Sequence, residues 1–133
     1  INYKKIKMNS KTTLTILSAY NAIIGALLYF AATSIASASM IGAPAEAIEA
    51  ATSSNMGTGA IFLAFGVFTF FVRGAESLTA KNAQLGWGIG GSIILIELLL
   101  RMSQNNNFTP PIAFIITGAV FIAFAFFGAS KTK

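Results

Sequence analysis

The chain contains no cysteine and no histidine among its 133 residues. Their absence removes disulfides, thiolate nucleophiles and zinc sites built on thiolate or imidazole ligands. It also removes histidine-ligated haem, cysteine-ligated iron–sulfur clusters and histidine general bases. We therefore predict that the protein is not an enzyme and holds no metal or redox cofactor. The same absences do not exclude that the protein binds a lipid, or a pigment that needs no histidine ligand.

Charge is also scarce, because only 10% of the residues are charged whereas 55% are hydrophobic. A soluble domain of this size needs more charged surface. Four apolar runs approach the length of a membrane span, at about residues 14–35, 56–72, 83–101 and 110–127. The predicted fold class is all-α: an integral membrane four-helix transmembrane bundle that forms a single domain.

Positive charge is concentrated in three of the segments that flank these spans. Eight of the nine basic residues lie there: Lys4, Lys5, Lys7, Lys11, Arg73, Lys81, Lys131 and Lys133. By the positive-inside rule these segments, and hence both termini, lie on the inner side, and only Arg101 lies outside. We expect the cytoplasmic face of a bacterial inner membrane, although an organelle membrane fits the same rule. The net charge of +5 does not indicate nucleic-acid binding, since no basic stripe with interleaved aromatic residues is present.

The first span and the segment after it carry two competing signals. Residues 14–35 resemble a secretory signal peptide, but their apolar run exceeds the usual ~7–15 residues, so we interpret them as a retained span. Residues 36–55 are the longest predicted connection and lie on the outer side. Pro44 suits the first turn of a helix, and we predict a short surface helix over residues 44–51.

Glycines in the third span form the pattern G-x-G-x-x-G from Gly86 to Gly91. No strand precedes this pattern and it lies inside an apolar run, so it is not a dinucleotide-binding fingerprint. Glycine and serine at four-residue spacing instead predict surfaces for close helix packing, and glycines open the second span in the same way. The residues predicted to form a helix-packing or partner interface are Gly57, Gly59, Gly86, Gly90 and Ser92.

Glu97 is the only acidic residue inside an apolar run. On an ideal helix Gly86, Gly90, Glu97 and Arg101 fall within about 60° of one another. Because small residues mark the face that meets other helices, we expect Glu97 to point into protein. Arg101 follows at i+4, the favourable order for an ion pair on a helix. We favour a pair that fixes the bundle or a partner, and a proton- or cation-linked group is the alternative.

Three further residues have expected positions in the first and third spans. Asn21 lies inside the first span, where an amide side chain usually forms a hydrogen bond with another helix, and a substrate contact is the alternative. Tyr20 and Trp87 lie near the inner ends of their spans and fit an interfacial belt of aromatic residues.

Three functional readings follow from these features. The first is a non-catalytic accessory or scaffolding subunit, whose glycine faces pack against other transmembrane subunits or against a second copy. The second is a small oligomeric transporter or channel that uses Glu97. The third is a lipid- or pigment-binding membrane protein, since apolar grooves between helices suit such ligands.

Residues 55–127 resemble the DoxX-like small four-helix membrane proteins. The matching features are Asn55-Met56-Gly57-Thr58-Gly59-Ala60 at the start of the second span and Leu100-Arg101 at the end of the third. A polar loop and the fourth span, residues 105–127, follow in the same order. The N-terminal half carries no motif of that family. The resemblance implies a small membrane protein of four helices and assigns no site.

Overall fold

The computed structural model describes residues 9–104 and 108–132, and this part of the chain is helical without strands. Its helices are α1 (Ser10–Phe30), α2 (Ala32–Ser39), α3 (Ala45–Val72), α4 (Ser77–Gln104) and α5 (Ile112–Lys131). The all-α prediction is therefore confirmed for the described residues. The expectations for Lys4, Lys5, Lys7, Lys133 and the polar loop at residues 105–107 lie outside them.

The first predicted span is divided between α1 and α2. Asn9 caps α1, because its side chain accepts a hydrogen bond from the backbone N–H of Lys11 at 3.2 Å. The helix is interrupted at Ala31, and α2 continues to Ser39. Asn55 of α3 donates its side-chain N–H to the carbonyl oxygen of Ala32, at 3.3 Å, so a neighbouring helix contacts the start of α2.

The predicted connection at residues 36–55 is shorter in the structure. Only residues 40–44 separate α2 from α3, and Gly42 there adopts φ +76°, a left-handed conformation that glycine accepts without strain. The expected separate surface helix is instead the beginning of α3. Polar residues that indicated a loop have partners within the helical structure. Thr52, for example, donates its hydroxyl to the carbonyl oxygen of Ile48 at 2.8 Å.

Helices α1 and α3 pack closely because glycines face each other at their crossing. A Cβ atom built on Gly59 would lie 2.7 Å from the carbonyl oxygen of Gly25 and 2.7 Å from the backbone nitrogen of Tyr29. A hydrogen bond also joins the two helices: Ser18 of α1 donates its hydroxyl to the carbonyl oxygen of Gly66 of α3 at 2.7 Å. Such close backbone approach is typical of membrane helix pairs. We call α1, α2 and α3 the first hairpin, and α4 and α5 the second.

The two hairpins meet at the end of the bundle that holds the start of α1 and the end of α5, here called the terminal end. Its core consists of Leu14, Leu17, Ala80 and Ala125, all inaccessible to solvent. Gln84 is also fully buried there. It donates its side-chain N–H to the carbonyl oxygen of Ser10 at 3.5 Å and accepts from the hydroxyl of Thr132 at 3.4 Å. The hydrogen bonds of Gln84 thus connect both ends of the described chain.

Replacing Gln84 by leucine is expected to lower the free energy of unfolding by about 1–2 kcal/mol, because hydrogen bonds between membrane helices contribute in this range. Unfolding in a detergent series, followed by the fluorescence of Trp87, the only tryptophan, measures the change. Gln104→Leu is the matched control, since Gln104 is exposed at the other end of α4. Equal stability of the two variants would contradict the prediction.

Four of the five helices, α1, α3, α4 and α5, are long and apolar enough to cross a membrane. α4 extends beyond the predicted span of residues 83–101, and the paired prolines predicted at the start of the fourth span precede α5. The helices alternate in direction. The opposite end of the bundle, here called the distal end, therefore holds the residues 40–44 loop and residues 108–111, which precede α5.

Candidate functional site

A cleft of about 1080 Å³ separates the two hairpins. The leucine and alanine core closes it at the terminal end. At the distal end the backbone N–H of Thr109 donates to the carbonyl oxygen of Ser39 at 2.8 Å, which links the two hairpins again. Helix α3 makes few contacts with α4. The cleft is therefore not closed along the side between α3 and α4.

Aromatic side chains form the floor of the cleft toward the terminal end. The ring of Tyr20 stacks on Phe121 with centroids 3.9 Å apart, and meets the edge of Trp87 at 5.9 Å. Tyr20 and Trp87, expected separately at the membrane interface, thus lie together between α1, α4 and α5. Their contact fixes the spacing of the two hairpins at this level.

One wall of the cleft is the predicted face of α4. Gly86, Gly90, Glu97 and Arg101 all line it. A Cβ atom added to Gly86 or Gly90 would meet nothing within 4 Å, so this small-residue surface is not covered within the described chain. The cleft wall of α4, as we call these four residues, is thus an uncovered glycine surface continued by a pair of charged side chains.

Glu97 and Arg101 form an ion pair in which the guanidinium Nε donates to the carboxylate. The side chains remain 53% and 65% exposed, respectively. Glu97 therefore lies at the cleft between the hairpins, half exposed and paired along its own helix. Such pairing allows two charges to share one apolar environment, since each charge compensates the other.

Asn21 lies on the wall opposite α4 and is only 3% exposed. Its side-chain Nδ2 has no hydrogen-bond partner in the described structure, so the expected hydrogen bond to another helix is not formed by this donor. A buried amide N–H without a partner costs free energy. The nitrogen atom itself is enclosed, so its missing partner is a property of the packing around α1 rather than of the open part of the cleft.

The remaining predicted interface residues lie outside the cleft. Gly59 is used in the crossing with α1, whereas a Cβ atom on Gly57 would meet open space. Ser92 donates its hydroxyl to the carbonyl oxygen of Gly88, at 2.8 Å along the same helix. A Cβ atom on Gly88 would lie 2.9 Å from the ring of Phe126, so this glycine serves the packing of α4 against α5.

Sequence reasoning missed the roles of Gln84 and of the Gly25–Gly59 crossing. A signal for Gln84 was present, because an amide side chain close to an apolar run needs partners. Gly66 occurs in a span whose glycines indicated close packing in general, but no pattern paired it, or Gly25 of the first span, with particular neighbours.

The described residues, 9–104 and 108–132, contain no group of three acidic, histidine or cysteine side chains that could hold a metal ion. The fold and the cleft define a class of protein: a helical bundle with membrane-length apolar helices and a partly polar cleft between two hairpins. The chain matches no protein-family model, no curated protein and no solved structure. Its resemblance to DoxX-like proteins stays a prediction.

Proposed function

We propose that this protein is a non-catalytic accessory or scaffolding subunit of a larger membrane assembly, and that it binds a transmembrane helix along the cleft wall of α4. The observation that carries the proposal is the uncovered surface of Gly86 and Gly90 beside the half-exposed pair of Glu97 and Arg101. No metal, haem or pigment is part of the proposal, nor is nucleic acid.

Two physical reasons support a helix as the occupant. Glycines four residues apart let a second helix approach until backbone atoms touch, which increases the dispersion contacts that hold membrane helices together. Charged side chains inside a span are unfavourable next to lipid, and each costs about 2.5–3.5 kcal/mol near the centre of a helix. A protein partner that covers the ion pair removes it from lipid contact.

The proposal includes a membrane orientation. Four cations lie near the terminal end: Lys11 in the first turn of α1, Arg73 in the turn between α3 and α4, Lys81 near the start of α4, and Lys131 in the last turn of α5. Placing this end in the cytoplasm, in a bacterial inner membrane, satisfies the positive-inside rule and brings these cations to anionic lipid headgroups. The guanidinium of Arg73 lies 3.4 Å from the ring centroid of Phe70, as suits an interface.

A lipid is the second candidate occupant, and the size and chemistry of the cleft favour it. Its volume of about 1080 Å³ lies just above the range for small-molecule sites, ~300–1,000 Å³. Apolar side chains predominate in its lining, and a few polar groups converge on it, as in many ligand sites. The hypothesis that the protein is a transporter has less support, since the carboxylate of Glu97, its expected ion-linked group, is already paired with Arg101.

The docking proposal predicts that Gly86→Leu dissociates the protein from its assembly. A Cβ atom at Gly86 would meet nothing within 4 Å and the residue lines the cleft, so we expect the isolated chain to accept leucine there, on the surface that the partner helix needs. Native mass spectrometry after mild detergent extraction from the source membrane measures the loss of the assembly. Gly57→Leu is the matched control, because Gly57 also faces open space but does not line the cleft.

Two results would contradict this proposal. Recovery of the wild-type chain alone, with no companion and no second copy, would show that no partner helix is bound in the source membrane. If Gly86→Leu kept the assembly and Gly57→Leu lost it, the docking surface would lie on α3 rather than on α4. Recovery of a monomer with a stoichiometric lipid would favour the second candidate.

A further inference from the structure

We propose that the helix received by the cleft wall of α4 is α4 of a second copy, so that the protein forms a two-fold symmetric dimer. This inference rests on the proposed function, because it names the partner of the same docking surface. Two copies inserted with the same topology are related by an axis along the membrane normal, which places their α4 helices parallel and side by side.

The charges on this wall are self-complementary. A two-fold interface brings the same surface of both copies together, so it needs both members of each complementary pair on one surface. Glu97 and Arg101 provide both signs one helical turn apart, about 6 Å along the axis. In a parallel pair the carboxylate of each copy can therefore reach the guanidinium of the other. The two ion pairs become a network of four charges that is shielded from lipid.

The small residues on the same wall allow the required approach. Gly86 and Gly90 precede the charged pair on α4 and have open space where a Cβ atom would be. Two such surfaces facing each other permit backbone contact, whereas a helix with large residues at this level would be held away from the charges. The wall is thus complementary to itself both in shape and in charge.

Asn21 shows that the wall opposite α4 contains a hydrogen-bond donor that the described chain does not satisfy. Its buried Nδ2 has no partner, and the residue lines the same cleft. Its neighbour Tyr20 contacts Trp87, which places Asn21 near the level of Gly86 and Gly90 on α4. Backbone carbonyl oxygens at glycines are not shielded by side chains and keep a free lone pair. An α4 helix of a second copy would bring such acceptors to this level of the cleft, and the Asn21 side chain would have to turn toward the cleft to donate to them.

The arrangement of the hairpins permits this docking from the side. The cleft is linked across both ends, by the core at the terminal end and by the Thr109–Ser39 hydrogen bond at the distal end. The side between α3 and α4 has few contacts. A helix of a second copy in the same bilayer can approach along this side without unfolding either hairpin.

Complementary charge variants test the dimer in the full-length purified chain, reconstituted in lipid nanodiscs. Glu97→Arg gives each copy two positive charges on the wall, and Arg101→Glu gives two negative charges. We expect each variant alone to dimerise at least about tenfold more weakly than wild type, because like charges meet at the interface. An equimolar mixture should recover dimers that contain one copy of each variant, as donor–acceptor fluorescence transfer detects. Lys81→Glu, outside the cleft, is the control and should dimerise as wild type does.

Cross-linking supplies a second measurement that does not depend on charge reversal. The chain has no cysteine, so Gly86→Cys introduces its only thiol. Mild oxidation should give a covalent dimer of Gly86→Cys and none of Gly57→Cys. Circular dichroism and Trp87 fluorescence identify any variant that fails to fold, and for such a variant the cross-linking result decides.

Three outcomes would overturn the homodimer. The first is a wild-type chain that stays monomeric at all protein-to-lipid ratios. The second is a mixture of the charge variants that dimerises no better than each variant alone, together with no Gly86→Cys cross-link. The third is a monomer whose cleft holds a co-purified lipid. A heteromeric assembly isolated from the source membrane would still support the proposed function, so failure of the dimer and failure of the function are distinguishable.

Discussion

Gly59→Leu is expected to prevent native packing of the first hairpin and to lower the free energy of unfolding by more than about 3 kcal/mol. Even a single Cβ atom at this position would lie 2.7 Å from backbone atoms of Gly25 and Tyr29. Backbone atoms cannot move aside as the end of a flexible side chain can, so α1 and α3 must separate. Separation also breaks the hydrogen bond from Ser18 to Gly66 on the same interface.

Detergent titration followed by circular dichroism and Trp87 fluorescence measures this loss. Gly57→Leu is a closely matched control, since it makes the same chemical change two residues away on the same helix. A Cβ atom at Gly57 meets nothing within 4 Å, so we expect a change below about 1 kcal/mol. Similar destabilisation by both variants would show that the effect comes from the helix itself rather than from the α1–α3 crossing.

Leu17→Ala is expected to lower the free energy of unfolding by about 2–4 kcal/mol. Leu17 is fully buried in the terminal-end core with Leu14, Ala80 and Ala125, where α1, α4 and α5 meet. Alanine leaves a cavity that the neighbouring alanines are too small to fill. In a membrane the loss is mainly one of dispersion contacts, because lipid is as apolar as leucine.

The control for this prediction is Leu78→Ala, the same substitution at a residue that is 65% exposed. We expect Leu78→Ala to change stability by less than about 1 kcal/mol. Stability in the same detergent series is the readout. If Leu17→Ala were no more destabilising than Leu78→Ala, the terminal-end core would not be what joins the two hairpins.

Helix boundaries were predictable where apolarity and helix-breaking residues agree. The predicted second span ends at residue 72 and the fourth begins at residue 110, and in the structure α3 ends at Val72 and α5 begins at Ile112, just after Pro110 and Pro111. The prediction that the segment before Met56 is a connection was wrong, because serine, threonine and asparagine usually indicate a loop. In the structure Thr52 and Asn55 satisfy their polar groups by hydrogen bonds to Ile48 and Ala32, and the helix continues through them.

Glycines show where a sequence pattern stops being informative. Gly57 and Gly59 are equivalent as small residues at the start of a span, yet Gly59 contacts α1 whereas Gly57 faces open space. Two residues are about 200° apart on a helix, so only one of them can face a given neighbour. The sequence contains no signal that distinguishes them, because every side of these helices is apolar.

The sequence by itself determined the all-helical fold class, the presence of four helices apolar enough to cross a membrane, and the common face of Gly86, Gly90, Glu97 and Arg101. These properties depend on composition and on the fixed helical period, which are local. Only the tertiary structure decided that this face lines a cleft, that Asn21 lies across from it, and that Tyr20 meets Trp87 at its floor. A membrane helix lacks the polar side that identifies the packing face of a soluble helix. Its neighbours are therefore set by shape and by close contacts between distant residues.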